Sequence, residues 1–371
     1  MDATASGPGN GSPQAPFPEI QAAVQIAPPG ATILVLPGAY GVPVDFLGKS
    51  IRVLSTAGPV VTVLDLGGVI GSGPAVRFTS GEGPESLLCG FTIRGAITVS
   101  GPDGSADGGG ILCWRSSPTI ANNVIEGNAA YQYSPSCPGF QPLAFGGGIA
   151  CVDASPTIVN NVVDSNQALA LSPCDAALAG GGGIACRSNS HPLIVNDRIT
   201  GNVASGEVGA GVGGGVFLWD SAPVIANTTM AGNQVYSDGG LSASGAGLAV
   251  FSGTEPASVS NCIVWGNTPD AIAATSPINV SFSDVEGGYP GLGNLQVDPL
   301  FLGNGNYRLH PNSPCLDQGN DLLVPIDLGD LDRDGDLGEI TPLDLDRFPR
   351  FVAAFGGGAY GLVDMGPYEH R

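Results

Sequence analysis

The sequence predicts an all-β chain wound into a right-handed parallel β-helix solenoid, with a short N-terminal capping helix and a C-terminal closing segment. Three observations predict it. A glycine-led opening is written five times, as Gly-Gly-Gly-Ile-Leu-Cys from Gly108, Gly-Gly-Gly-Ile-Ala-Cys from Gly146 and Gly181, Gly-Gly-Gly-Val-Phe-Leu from Gly213, and Gly-Ala-Gly-Leu-Ala-Val from Gly245. Two asparagine columns recur in step with it: Asn122, Asn160, Asn196, Asn227 and Asn261, then Asn128, Asn166, Asn202, Asn233 and Asn267. Between them the apolar runs are too short for helices and are bounded by Gly, Pro and Asp, as strands are. A repeat of this length stacks one supersecondary unit per turn and shares one continuous core.

Taken in order, residues 1–16 read as a flexible, polar lead. Phe17 to Ala27 reads as a helix. Pro18 sits where a first-turn N–H is spare, and Ile20, Ala23, Val24 and Ala27 share one face that can cover the open end of a first coil. Pro28-Pro29-Gly30 stops it. Strand-like runs at Thr32–Leu36, Ile51–Ser55, Val60–Leu64, Ala75–Phe78 and Phe91–Ile93 then form irregular early coils. The helix cap and coils span 17–278, and 279–371 supply a final coil and a capping segment.

The clear units start 38, 35, 32 and 32 residues apart. Their variable parts (about 131–145, 169–180, 204–212 and 236–244) all leave at one corner, so one edge of the solenoid carries every long loop. Alternation places Ile111 with Cys113, Ile149 with Cys151, Ile184 with Cys186, Val216 with Leu218, and Leu248 with Val250 on the core side. Prolines 118, 156, 192 and 223 start strands, the position that can spare an N–H. The asparagines sit at the corners, where stacked amides about 4.8 Å apart can bond one another.

Composition narrows the function. The chain has 371 residues, 59 of them Gly and 31 Pro, and a net charge of −21 with Lys49 its single lysine. No basic stripe exists to release counterions from a nucleic acid, so that partner class is excluded. A polyuronate would be repelled unless a cation bridged the two. No apolar run is long enough to span a membrane. No signal peptide is visible, and the polar lead resembles the mature start of a secreted protein, so a secreted or cell-surface location is expected.

These residues resemble the secreted bacterial right-handed parallel β-helix repeat proteins of the pectin-lyase-like superfamily. Ile20-Gln21-Ala22-Ala23, Pro29 to Val35 and Pro37-Gly38-Ala39-Tyr40 resemble that family's cap and first coil. Asp298-Pro299-Leu300-Phe301, Ser313-Pro314-Cys315 and Asp364 to Glu369 resemble its closing segment. The resemblance implies the fold and leaves the activity open, since the superfamily mixes lyases, hydrolases, adhesins and proteins of unknown role.

The motifs of its hydrolases are missing. None of His191, His310 and His370 is followed by Gly, Asn227-Thr228-Thr229 lacks the Asp, and Arg198-Ile199-Thr200 lacks the Lys. Arg347-Phe348-Pro349-Arg350 is similar to an Arg-rich lyase motif but lies in the tail, where Asp344 and Asp346 can pair with it. If the protein is an enzyme, a polysaccharide lyase fits better than a glycoside hydrolase.

Asp330, Asp332, Asp334 and Asp336, with Gly335 among them, form a loop that can aim several oxygens at a hard cation, and calcium is the expected ion. Thr341 stands where an EF-hand has its bidentate Glu, so Glu339 or Asp344 would have to complete the shell; the plain alternative is a solvated acidic turn. Cys113, Cys151 and Cys186 read as buried thiols. Cys137 and Cys174 lie in consecutive insertions and are expected to form a disulfide in an oxidising compartment.

The outward column Trp114, Val152, Arg187, Trp219 and Phe251 supplies the expected ligand surface, with Tyr131, Tyr133 and Tyr236 as a rim. Aromatic faces along a solenoid wall can stack on sugar rings. The competing expectation is that the insertions fold over this wall and bury it. The first functional reading is extracellular, non-catalytic binding of a polysaccharide or cell-surface glycan. A polysaccharide lyase or hydrolase, and a structural or adhesive coat protein able to self-associate end to end or side by side, are the alternatives.

Overall fold

The computed structural model describes the chain except residues 6, 102, 137–138, 239–242, 333, 354–357 and 359. Among the described residues three parallel sheets run the length of a right-handed β-helix. Sheet A has eight strands and includes Ile111–Trp114, Ile149–Val152, Ile184–Arg187, Val216–Trp219 and Leu248–Phe251. Sheet B has nine, among them Thr119–Ala121, Thr157–Val159, Leu193–Val195 and Val224–Ala226. Sheet C has thirteen, among them Val124–Glu126, Val162–Asp164, Arg198–Thr200 and Thr229–Ala231.

Register follows the repeat. Ile111 pairs with Ile149 and Ile149 with Ile184, while Cys113, Cys151 and Cys186 stack in line. These residues are fully buried, as the alternation requires. Burial pushes the Cys113 thiol up, and the contact with Cys151, reinforced by burial, raises that of Cys186, so both behave as small apolar side chains.

The helix α1 (Ile20–Ile26) buries Ile20, Ala23 and Val24 against the first coil. Lys49 caps it: its Nζ donates to the carbonyls of Val24, Gln25 and Ala27 at 2.6, 2.8 and 3.0 Å. A cation on the last carbonyls is favoured by the helix dipole. The polar lead is not loose. The N-terminal amine donates to Leu34 O, Asp2 N–H donates to Phe17 O, and Phe17 is buried beneath it.

The two corner columns differ in role. The first Asn column takes the left-handed turn, with φ of 57, 60, 58, 48 and 53° at Asn122, Asn160, Asn196, Asn227 and Asn261. Asn tolerates that region better than other side chains with a Cβ. The inward ladder belongs to the next residue, where Asn123 N and Nδ2 donate to Asn161 Oδ1 at 3.0 and 3.2 Å. Asn161 does the same to Asp197 Oδ1. The second Asn column is itself a buried ladder. Asn128 donates twice to Asn166 Oδ1, Asn166 to Asn202, Asn202 to Asn233 and Asn233 to Asn267, all at 2.9–3.1 Å.

The insertions are structured. Each leaves as an outward extension of sheet C (Ala129–Tyr133, Gln167–Leu171, Val203–Gly206, Gln234–Ser237). The first three return in a fourth parallel sheet, D, whose strands are Ala106–Asp107, Leu143–Phe145, Leu178–Gly180 and Ala210–Val212. Between the two layers lies a core built of alanines 106, 130, 144, 168, 170, 179 and 204, closed at its end by Val235. Methyl-sized side chains let these layers approach closely. A Cβ on Gly211 would stand 2.2 Å from Ala204 O, and one on Gly147 2.2 Å from Gln167 O. Glycine at Gly146, with φ +66°, makes the turn from sheet D into sheet A.

The tail does more than close the last coil. It runs back along the side of the solenoid, where Leu331 is buried among Leu87, Cys89, Ala121, Val159, Val195 and Ala226 on the outer face of sheet B. Asn196 Nδ2 donates to Leu343 O, and Asn261 Nδ2 donates to Asn320 O at 3.1 Å.

Two predictions follow from the ladders. Asn166→Ala strips one acceptor from Asn128 and one donor from Ile125 O and Asn202, so it should cost about 2–4 kcal/mol in urea denaturation. Asn160→Ala should cost about 1 kcal/mol, the left-handed penalty. Asp197 is fully buried, its Oδ2 has no partner, and burial pushes its carboxyl well up. The folded state therefore holds a proton that the unfolded chain releases, and stability falls as pH rises above the ordinary Asp range. Asp197→Asn should flatten that slope and raise neutral-pH stability by about 1–3 kcal/mol.

Candidate functional site

The outward column is real. Trp114 pairs with Val152, Val152 with Arg187, Arg187 with Trp219, and Trp219 with Phe251. Sheet D decides which of them reaches solvent. It lies over the middle of sheet A, burying Val152 and Arg187 and leaving Trp219 37% exposed. Trp114 and Phe251 are half-buried. Trp114 packs with Leu112, Ala150 and Val152 and belongs to a separate cluster from Trp219.

Trp219 and Phe251 come together in a groove of about 620 Å³. Phe217 forms its floor and is buried; Leu178, Ala210 and Val212 of the insertion side form one wall, and Ser244 and Ser252 add hydroxyls. The rings form a connected set. Phe217 lies 6.2 Å from Trp219 and 5.9 Å from Phe251, centroid to centroid, and Phe145 stacks on Phe217 at 5.8 Å. Such contacts fix the orientation of the Trp219 ring before any ligand arrives.

Behind Phe145 lies a buried ionic cluster. The Arg187 guanidinium sits 4.3 Å over the Phe145 ring, and its Nη2 donates to Asp107 Oδ2 at 2.7 Å and to Asp103 and Ser105 at 3.1 Å. Burial pushes the fully enclosed Asp107 carboxyl up to about 6 against the pull of Arg187. Asp103 sits lower than usual: burial opposes its charge, but Ser105 and Arg187 outweigh it. Arg187 thus supports the groove from beneath and does not line it.

Tyr131 and Tyr133 do not form the expected rim. They alternate with Ala130 and Gln132, which are buried against the sheet D layer, so the tyrosines face the opposite side of the extension. Tyr236 shares that face through its pairing with Ser205, and none of the three lines the groove.

A second, polar cleft of about 580 Å³ lies between tail and solenoid, lined by Asn122, Asn160, Arg198, Arg308, Asp346 and Tyr368 among others. No sequence column points to it, because one wall (Arg308, Leu345, Asp346, Arg347 and Tyr368) comes from the tail. Its charges are partly engaged: Arg308 pairs with Asp346 and stacks on Tyr368, and Arg198 lies 5.7 Å from the Tyr307 ring centre with its Nε buried and unpartnered, while Arg347 is exposed. Arg350 does not pair with Asp344 or Asp346. It is buried against Glu369 at 2.9 Å and against the carbonyls of Gly366 and Pro367, where it secures the chain end.

Among the acidic loop residues, Asp330, Asp332 and Asp334 each offer an oxygen within 4.8 Å of the others, as do Asp327, Asp332 and Glu339. Asp336 joins neither group; its carboxylate accepts from Gly338 N–H. Asp344 is elsewhere, bonded to the Phe348 and Glu369 amides, and Thr341 donates to Pro325 O. Cys174 is disulfide-bonded, and the partner expected for it, Cys137, lies outside the described residues.

The fold is that of a right-handed parallel β-helix, the class expected from the repeats. Residues 107–284 match the family described as right handed beta helix region, a span that covers the clear repeats. No protein of curated function matches the chain. Among solved structures, pectate lyase Pel9A is 14% identical with a TM-score of 0.42, over 100% of this chain and 96% of that one. The mannuronan C-5 epimerase AlgE4 A-module of Azotobacter vinelandii is 14% identical with a TM-score of 0.22, over 78% of this chain and 94% of that one. No helix of the described residues is long and apolar enough to cross a membrane.

Asp107→Ala removes the closest countercharge of a buried guanidinium. It should destabilise the protein by about 3–5 kcal/mol in chemical denaturation, with Asp103→Ala well below that because Asp103 is 35% exposed.

Proposed function

We propose that the chain is a secreted, non-catalytic glycan-binding protein that holds a saccharide in the Trp219–Phe251 groove. The observation that carries the reading is the groove itself: an exposed indole and a half-buried phenyl one coil apart, fixed on a buried phenylalanine floor. Sugar rings present apolar C–H faces and polar edges. A shallow aromatic groove with a few hydroxyls at its margin answers both. The spacing of one coil, about 4.8 Å, is close to the advance of one pyranose along an extended chain. A neutral glycan fits better than a polyuronate, because the protein carries a net charge of −21. The disulfide at Cys174 supports an oxidising, extracytoplasmic location.

The competing catalytic reading would use Arg187 with Asp103 and Asp107, the place where an arginine and carboxylates converge beside the insertions. Those groups are bonded to one another behind Phe145, and Asp107 has no exposed surface. A base must reach the proton it takes, and here the arginine's role is to pair with buried Asp107 and with Asp103 at the cluster's exposed edge.

Affinity electrophoresis through gels cast with plant, algal and bacterial polysaccharides tests the reading. Retention on at least one neutral glycan is expected, without new reducing ends or the ultraviolet absorbance of unsaturated sugars. Trp219→Ala should weaken it by about tenfold or more and Phe251→Ala by less, whereas Trp114→Ala and Tyr133→Ala should leave it unchanged. Retention that survives Trp219→Ala would remove the groove, and product formation would make the protein an enzyme.

A further inference from the structure

The acidic hairpin of the tail carries a second site, unrelated to the groove. Its neck is closed by the antiparallel bridge between Ile326 and Ile340, with Asp327 N–H donating to Glu339 O at 2.8 Å and Thr341 N–H to Pro325 O. Between these ends, carboxylates crowd one small volume. Asp327, Asp332 and Glu339 bring oxygens within 4.8 Å of one another, and Asp332 is shared with the set of Asp330 and Asp334.

Acidic residues close together on a surface are ordinary, and alone they would say nothing. The buried member changes the argument. Asp327 is only 1% exposed. Its Oδ2 accepts from Leu331 N–H at 2.7 Å, while its Oδ1 is buried, with the Gly329 amide near it but no well-formed hydrogen bond. Glu339 Oε1 is likewise buried and unpartnered. Two buried carboxylate oxygens left without full hydrogen bonds are what a hard cation satisfies.

We propose that Asp327, Asp332 and Glu339, with Asp330 or Asp334 at the open side, bind one divalent cation of the calcium class. The loop favours calcium over magnesium. It offers many carboxylates at flexible spacing, which suits a large ion with a variable shell, whereas magnesium demands a near-ideal octahedron. The site differs from the one the alternating aspartates suggest. Asp336 leaves the set, and Asp327 and Glu339, which fall outside the alternation, enter it.

The placement gives the ion a consequence. Leu331, bonded to Asp327, is the side chain that plugs the outer face of sheet B between Val159 and Val195. A cation that fixes Asp327 to Glu339 closes the hairpin around that plug and fastens the tail to the solenoid. Without the ion the same carboxylates repel one another and loosen the strap.

The test is calorimetric titration of the full chain, stripped with chelator, with calcium chloride alone, paired with thermal melting and limited proteolysis. One saturable site is expected, a melting temperature that rises progressively with calcium, and slower cleavage between residues 326 and 343. Glu339→Gln and Asp327→Asn should each weaken binding by about tenfold or more. Asp238→Asn, an exposed carboxylate just after the Gln234–Ser237 extension of sheet C, should leave it unchanged. Should Asp327→Asn fail to fold, Glu339→Gln carries the test, because its side chain is only partly buried. The proposal is overturned by the absence of a saturable site, by binding that both hairpin variants retain, or by a melting shift that sodium chloride reproduces at equal ionic strength. Glycan retention is read separately, so either result leaves the groove to its own experiment.

Discussion

Everything in this molecule hangs on a column of side-chain amides that bond coil to coil inside the corner of sheet C. A β-helix coil has few residues with which to specify its register, and a slip of one residue would turn every core side chain outward. The Asn128 to Asn267 ladder prevents it. From Asn166 onward each amide oxygen accepts two bonds from the coil before, and each amide nitrogen in the column holds a backbone carbonyl. An amide displaced by one position would leave these buried donors and acceptors unsatisfied, so the column sets the register as well as contributing stability.

That constraint explains how much was legible in the sequence. The core alternation and the second Asn column were readable because coil-to-coil contact demands the same residue at the same place. The first Asn column was readable as corners but not as a ladder. The neighbouring inward positions, Asn123, Asn161, Asp197 and Thr228, vary in chemistry while keeping a bonding side-chain oxygen. Even there the substitution leaves a trace, since an acid in place of an amide leaves Asp197 Oδ2 without a partner.

The insertions and the tail were harder to read for a physical reason. The wing is held by alanines at 106, 130, 144, 168, 170, 179 and 204, and alanine is common enough in any loop to hide its purpose. Only their alternation within 168–170 and their recurrence from coil to coil mark a closely packed pair of layers. The tail crosses back over coils far from it in sequence, so Leu331 meets Val159 with no periodic signal to announce it. Glu339 was read as a residue that could complete the shell, but Asp327 was missed: an alternating Asp pattern draws the eye to one loop's interior, and the neck of a hairpin is closed by residues outside the pattern.

The exposure of the aromatic wall follows from where the covering layer ends. A coil's body cannot change length without breaking its neighbours' register, so variation is confined to the insertions. The unit spacings fall from 38 to 35 to 32 along the chain. Among the described residues the inbound strands of sheet D end at Val212, which a single bridge joins to Ser244. The covering layer therefore runs out at the coil that bears Trp219. Upstream, the same outward position sits beneath Phe145 and can hold an arginine paired with buried carboxylates. At the layer's end it meets solvent and carries aromatic rings. One column thus serves as inner support at one level and as open surface at the next, and the end of sheet D decides which.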